Sequence, residues 1–137
     1  MRNRITKLVN RRQSRRGAAV TELAVCLPVI VLLVFGSLEG ANMLFLKQAV
    51  VQSAYETAKA AAKRSGSQAL GQRLGQNVLA SRNIVPTAIQ FSANVDALAP
   101  GTPFTVTVSA AGDQKSITSI GPFNGLNINA QVTMVKE

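Results

Sequence analysis

The stretch Arg15-Arg16-Gly17-Ala18-Ala19-Val20-Thr21-Glu22, followed by sixteen uncharged residues from Leu23 to Leu38, decides how this chain is read. A basic segment ends in a small residue, and a lone carboxylate stands five places beyond it, at the mouth of an apolar run. Near the middle of a membrane helix, Asp-type charges cost about 2.5–3.5 kcal/mol on insertion scales. A carboxylate kept at this place therefore needs either an aqueous interface or a partner.

The charge distribution sets the first segment apart. Residues 1–16 hold seven of the fifteen basic residues (Arg2, Arg4, Lys7, Arg11, Arg12, Arg15 and Arg16) and no acid. Residues 18–137 hold eight basic residues against six acids, so the basic excess belongs mostly to the first segment. A basic tail can bind nucleic acid, but these charges abut an apolar span with no aromatic platform for bases among them. Positive charge before a span instead holds that end in the cytoplasm. The expected partner is a membrane, with no nucleic acid.

Composition narrows the chemistry. The 137 residues suit one domain of modest size, with about ninety residues beyond the span to build it. There is no histidine and no tryptophan, and Cys26 is the only cysteine, so no intrachain disulfide forms. His-based acid–base catalysis, a Cys–His dyad and nearly every zinc-ligand set are thereby removed. No catalytic residue, metal site or cofactor is expected.

Sixteen helical residues cover about 24 Å, short of a hydrocarbon core of about 30 Å. Adding Ala18–Thr21 before the run and Gly40–Leu46 after it gives ample reach. Glu22 and Glu39 lie about 26 Å apart along such an axis, so each fits near one interface. For Glu39 this interfacial role is the expected one. Pro28 lacks the N–H that would bond the Ala24 carbonyl and should kink or loosen the helix, which membrane helices tolerate. Gly36 and Gly40 form a small-xxx-small pair, a common feature of such helices. An ordinary signal-peptidase site is poorly matched around Phe35–Ala41. A lipoprotein site at Leu23-Ala24-Val25-Cys26 has bulky Val25 where a small residue belongs, with the apolar run on the wrong side of Cys26.

Past the span the helical pattern continues. Gln52, Glu56, Lys59 and Lys63 make one polar stripe, while Val50, Ala54, Ala58, Ala61 and Ala62 lie opposite on a small apolar face. Ser65-Gly66-Ser67 reads as a cap and turn. A second helix is expected from about Gln68 to Arg82, with Leu70, Leu74 and Val78 on one side and weakened by Gly71 and Gly75. From Ile84 the pattern turns to alternation: Ile89, Phe91, Ala93, Val95; then Phe104, Val106, Val108, Ala110; then Leu126, Ile128, Ala130, Val132, Met134. Ala99–Pro103, Ala111–Lys115 and Gly121–Gly125 are expected turns or loops. The fold class is α+β: a long N-terminal membrane-spanning helix, a short helix and an antiparallel sheet of about three strands packed on the long helix.

These residues resemble the TadE-like family of pilin-related proteins. The resemblance is carried by Arg16-Gly17-Ala18-Ala19-Val20-Thr21-Glu22, by Leu27-Pro28, and by Phe35-Gly36-Ser37-Leu38-Glu39. Lys47-Gln48-Ala49 and the Ala-rich stretch with Glu56 are similar to the segment that follows, and Val132–Glu137 resembles the family's terminal strand. Thr21 and Gly40 depart from it, standing where an apolar and an aromatic residue are common.

The resemblance implies a pilin-like fold and a pseudopilin or minor pilin of the tight adherence (Tad) system, which assembles Flp pili on bacteria. It implies no enzyme activity. Its implied partners are a prepilin peptidase, other Tad pilins and pseudopilins, and inner-membrane assembly proteins. Cleavage would fall between Gly17 and Ala18, and Glu22 would pair with the new N-terminal ammonium of a neighbouring subunit. The expected organisation is a basic leader at 1–17, a transmembrane helix at 18–46, its extracytoplasmic continuation at 47–66, and a short helix with β domain at 67–137. The location implied is the bacterial cytoplasmic membrane, single-pass, or a surface pilus. The alternative is an uncleaved single-pass protein presenting a small extracytoplasmic interaction or adhesion domain.

The basic flank places residues 1–16 in the cytoplasm and the C-terminal part outside it. A reporter active only outside the cytoplasm, fused after Glu137, should therefore give signal. A stable but inactive fusion would reverse the orientation.

Overall fold

A computed structural model describes residues 2–115 and 125–137, with side chains described from Gly17 onward. The order of elements is helix α1 (Arg2–Ala62), helix α2 (Gln68–Ala80), strand β1 (Pro86–Phe91), strand β2 (Pro103–Ala111) and strand β3 (Asn127–Val135). Short 3₁₀ turns lie at Val95–Ala97 and Gly112–Lys115. The architecture is α+β, as the periodicity predicts. The chain divides into two compact units, Met1–Leu38 and Glu39–Glu137.

In the first unit α1 is uninterrupted, with Pro28 inside it. Every residue from Gly17 to Leu38 is exposed. In the second unit α1 presents a broad buried face: Met43, Leu46, Ala49, Val50, Ser53, Ala54, Thr57, Ala58 and Ala61. Gln52, Lys59 and Lys63 are exposed and Glu56 is half-buried, so the polar stripe lies where the spacing predicts. Lys59 also extends over the Tyr55 ring, 5.7 Å from its centre, a contact worth about 0.5–1 kcal/mol at an exposed site.

The sheet has the order β1-β2-β3, antiparallel throughout. Central β2 buries Phe104, Val106, Val108 and Ala110, which join Leu46, Val50, Ala54 and Ala58 of α1 in one cluster. Fully burying a Val, Leu or Phe side chain stabilises by about 1.5–3 kcal/mol, so this seam is the main apolar contribution. β2 pairs with β3 from Pro103↔Val135 to Ala111↔Asn127. It is entered by a tight turn in which Thr102 N–H donates to the Ala99 carbonyl (3.1 Å) and Gly101 takes φ +85°. Pro100 followed by a positive-φ glycine suits a type II turn.

Two sequence expectations are corrected here. The alternation Ile89, Phe91, Ala93, Val95 is not one strand: β1 stops at Phe91, and the Asn94 side chain accepts from Asp96 N–H to start the first 3₁₀ turn. Val95 is still buried, but from that turn. Leu126 precedes β3 and is exposed. The segment Ala111–Lys115 is the end of β2 followed by a 3₁₀ turn. Of the expected loop Gly121–Gly125, residues 121–124 lie outside the described residues.

The third correction concerns α2. Leu70 and Leu74 are exposed and Val78 is half-buried; the buried face is Gly71, Gly75 and Leu79. Both glycines meet the small-residue face of α1. A Cβ on Gly71 would lie 2.7 Å from the Thr57 carbonyl oxygen and 3.2 Å from Ala61 Cβ. One on Gly75 would overlap Thr57 Oγ1. Their poor helix propensity is thus outweighed by close approach of the two helices. Ser53 Oγ donates to the Gly75 carbonyl across the crossing (2.9 Å). The helix starts on Ser67, whose side chain accepts from Leu70 N–H, and ends where Ile84 N–H donates to Leu79 and Asn83 turns to φ +53°.

Overpacking a tight contact costs about 1–3 kcal/mol. Gly75→Ala should therefore lower the thermal midpoint of the detergent-solubilised full chain, followed by circular dichroism. Thr57→Ala in the same chain removes the overlapping hydroxyl, which has no hydrogen-bond partner among the described residues, and should restore most of the loss. An unchanged midpoint for Gly75→Ala would refute the close crossing.

Candidate cleavage and assembly site

Gly17, Ala18 and Glu22 all stand on α1, within the exposed stretch of the first unit. Helical rise puts Ala18 and Glu22 on one face, just over one turn apart. Thr21 Oγ1 donates to the Gly17 carbonyl (2.7 Å) and lies 3.1 Å from the Ala18 carbonyl. The proposed scissile carbonyl therefore accepts from a side chain as well as from the helix ladder. A side chain on Gly17 would meet nothing in the chain itself. Any demand for a small residue here must come from outside the chain. Glu22 is exposed and makes no hydrogen bond among the described residues.

Beyond this cluster runs an apolar surface. Val25, Leu32 and Leu33 are 74%, 73% and 65% exposed, and none of the large apolar side chains from Val20 to Leu38 is buried. Stable soluble proteins rarely leave such a surface uncovered. Gly17–Ala62 is long and apolar enough to cross a membrane, and its most apolar window is entirely unburied. That distinguishes it from the core helix of a soluble domain.

Glu39 belongs to different surroundings. It is only 4% exposed, partnered, and opens the second unit. Its position four residues before Met43 continues the buried face of α1, so Glu22 and Glu39 differ sharply in burial. Pro28 and Cys26 lie in the exposed apolar surface. Among the described residues there is no group of three or more His, Cys, Asp or Glu placed to hold a metal ion.

Lys136 is a structural residue that reading the sequence missed. It is buried, and its Nζ donates to the carbonyls of Ala61 (2.9 Å), Lys63 (2.8 Å) and Gly66 (3.3 Å). Glu137 N–H donates to the Ala62 carbonyl (2.8 Å). The last carbonyls of a helix have no intrahelical donors and carry partial negative charge. A lysine from the far end of the chain satisfies them here. Lys47 Nζ similarly donates to the Asn129 carbonyl on β3. A basic residue one place past a strand is the one available signal, and it does not say which helix end it will reach.

Residues 17–59 match the model of the family described as TadE-like protein. The match lies within the long N-terminal helix, whose stretch Gly17–Ala62 is long and apolar enough to cross a membrane. The matched segment includes Gly17, Ala18, Glu22, Pro28 and Glu39, and stops before α2 and the sheet. No curated protein and no solved structure matches the chain.

Proposed function

We propose that this chain is a pseudopilin or minor pilin of a Tad-type assembly and secretion system. It is anchored in the bacterial cytoplasmic membrane by α1 and cut between Gly17 and Ala18 by a prepilin peptidase. The observation that carries this reading is the conjunction on α1 of a basic flank, a small residue at 17, a carboxylate at 22 and an apolar surface left wholly uncovered. Lipid covers that surface before assembly, and other pilins and inner-membrane assembly proteins cover it afterwards.

The chemistry of residues 17–22 fits this sequence of events. The Gly17–Ala18 bond lies within a helix, and a peptidase must open that helix locally to reach it. Glycine makes the opening easier, being about 1 kcal/mol less favourable in a helix than alanine. Cleavage frees an ammonium on Ala18. Within one subunit that ammonium sits one turn from Glu22; in an assembly it faces the Glu22 of a neighbour. The pairing offsets the cost of holding a carboxylate among apolar side chains and fixes the axial register.

Substituting Glu22 separates an interface marker from a pairing carboxylate. Loss of one partner of a buried pair costs about 3–5 kcal/mol, enough to shift an assembly equilibrium by about two orders of magnitude or more. Glu22→Gln should therefore still be cleaved yet co-purify poorly with the other pilins. Asp113→Asn, at an exposed carboxylate outside the apolar stretch, is the control and should be milder; Glu39, buried and partnered, cannot serve as one. Normal co-purification of processed Glu22→Gln would remove the assembly role of the carboxylate.

A further inference from the structure

A cavity of about 360 Å³ opens on the second unit, lined by Asn42, Phe45 and Leu46 of α1, by Arg82 and Ile84 after α2, and by Lys115 at the end of the second 3₁₀ turn. Its volume falls in the range of small-molecule sites. Two cations border an otherwise largely apolar hollow, and among the described residues no carboxylate lines it, Glu39 one turn before Asn42 being buried and partnered. An apolar floor beneath two positive charges suits an amphiphile with an anionic head.

The cations are brought together by structure rather than by chance on a mobile surface. The Gln114 side-chain amide grips the backbone of Val85 at both ends, accepting from Val85 N–H (2.7 Å) and donating to the Val85 carbonyl (2.8 Å). That clamp sets Lys115 beside the segment carrying Arg82 and Ile84. Arg82 donates one N–H to Gln52 Oε1 (2.7 Å), which orients the guanidinium and leaves other donors for a ligand. Lys115 makes no hydrogen bond among the described residues. Asn42 adds an amide to the rim.

Position along the chain identifies the occupant. Asn42 follows Leu38, the last residue of the apolar run, by about one helical turn. Leu44 and Phe45 beside it are 59% and 61% exposed. Cations at the end of a span reach lipid phosphates, and exposed apolar side chains beside them meet the acyl boundary. We propose that this cavity binds the phosphodiester headgroup of an anionic phospholipid, with Arg82 and Lys115 on the phosphate and Phe45, Leu46 and Ile84 against the glycerol and first acyl carbons. This rests on the membrane-anchored reading above.

The test is native mass spectrometry of the full chain in a non-ionic detergent, with phosphatidylglycerol, phosphatidylcholine or inorganic phosphate added. One phosphatidylglycerol should be retained per chain, in preference to phosphatidylcholine, and equimolar inorganic phosphate should not displace it. Arg82→Gln/Lys115→Gln should reduce retention at least tenfold, while Arg64→Gln/Arg73→Gln, with the same loss of charge, should not. Lys115→Gln alone, which breaks no described hydrogen bond, should still give a several-fold loss if the double variant misfolds. Equal retention in all variants, equal loss in the charge control, or displacement by phosphate would overturn the site. Detergent phase partitioning of the same samples separates the two levels. A chain that stays in the aqueous phase defeats the membrane reading itself, whereas one that partitions without cation-dependent retention defeats only the lipid site.

Discussion

The structured part of this protein depends on one constraint: from residue 49 onward, the buried side of α1 is kept small. Ser53, Thr57 and Ala61 recur every four residues, so they form a shallow strip on one side of the helix. Gly71 and Gly75 of α2 lie against that strip at a distance that admits no side chain between. Beside it, Val50, Ala54 and Ala58 leave room for Phe104, Val106 and Val108 of β2. Larger residues on α1 would hold the sheet and α2 away from it, with few apolar side chains elsewhere to compensate. Even the Thr57 hydroxyl, without a hydrogen-bond partner among the described residues, fits this account: burying it so costs roughly 1–3 kcal/mol, tolerated where the helices touch closely.

The chain end completes the same structure. β3 ends at Val135, and Lys136 turns inward onto the C-terminal carbonyls of α1 while the Glu137 N–H donates to the Ala62 carbonyl. Hydrogen bonds to charged groups contribute about 1.5–3 kcal/mol, more than an exposed ion pair typically provides. The last residues thus close a loop of contacts between the end of the long helix and the edge of the sheet. Lys47 makes a similar connection from α1 to Asn129 farther along β3.

Much of this was legible in the residues. The polar stripe Gln52, Glu56, Lys59, Lys63 and the small face opposite it follow from helical spacing alone. The alternation in β2 and β3 locates both strands, because one face of each meets the core. Legibility failed where burial and hydrophobicity part company. Leu70 and Leu74 look like the inner face of α2, but the helix turns its glycines inward, and glycine carries no apolar signal. Val95 keeps the parity of β1 while belonging to a turn, since Asn94 offers the backbone a cap that ends the strand. Lys136 was out of reach because its role depends on which carbonyls the fold brings to it. Of the candidate site, the placement of Gly17, Ala18 and Glu22 on one exposed helix could be read directly, whereas the burial of Glu39 could not.

The functional account joins these halves through α1: one part carries an apolar surface that must be covered by lipid or by other subunits, and the other carries a small domain. Its central claim is that the covering changes after a cut between Gly17 and Ala18. The most direct measurement is the intact mass of the full chain extracted from membranes that contain the cognate peptidase, beside a Gly17→Leu variant. The account predicts a wild-type protein that begins at Ala18 and a variant that keeps residues 1–17, because a bulky side chain will not enter a cleft built for glycine. Identical, full-length masses for both would contradict it and leave an uncleaved membrane anchor.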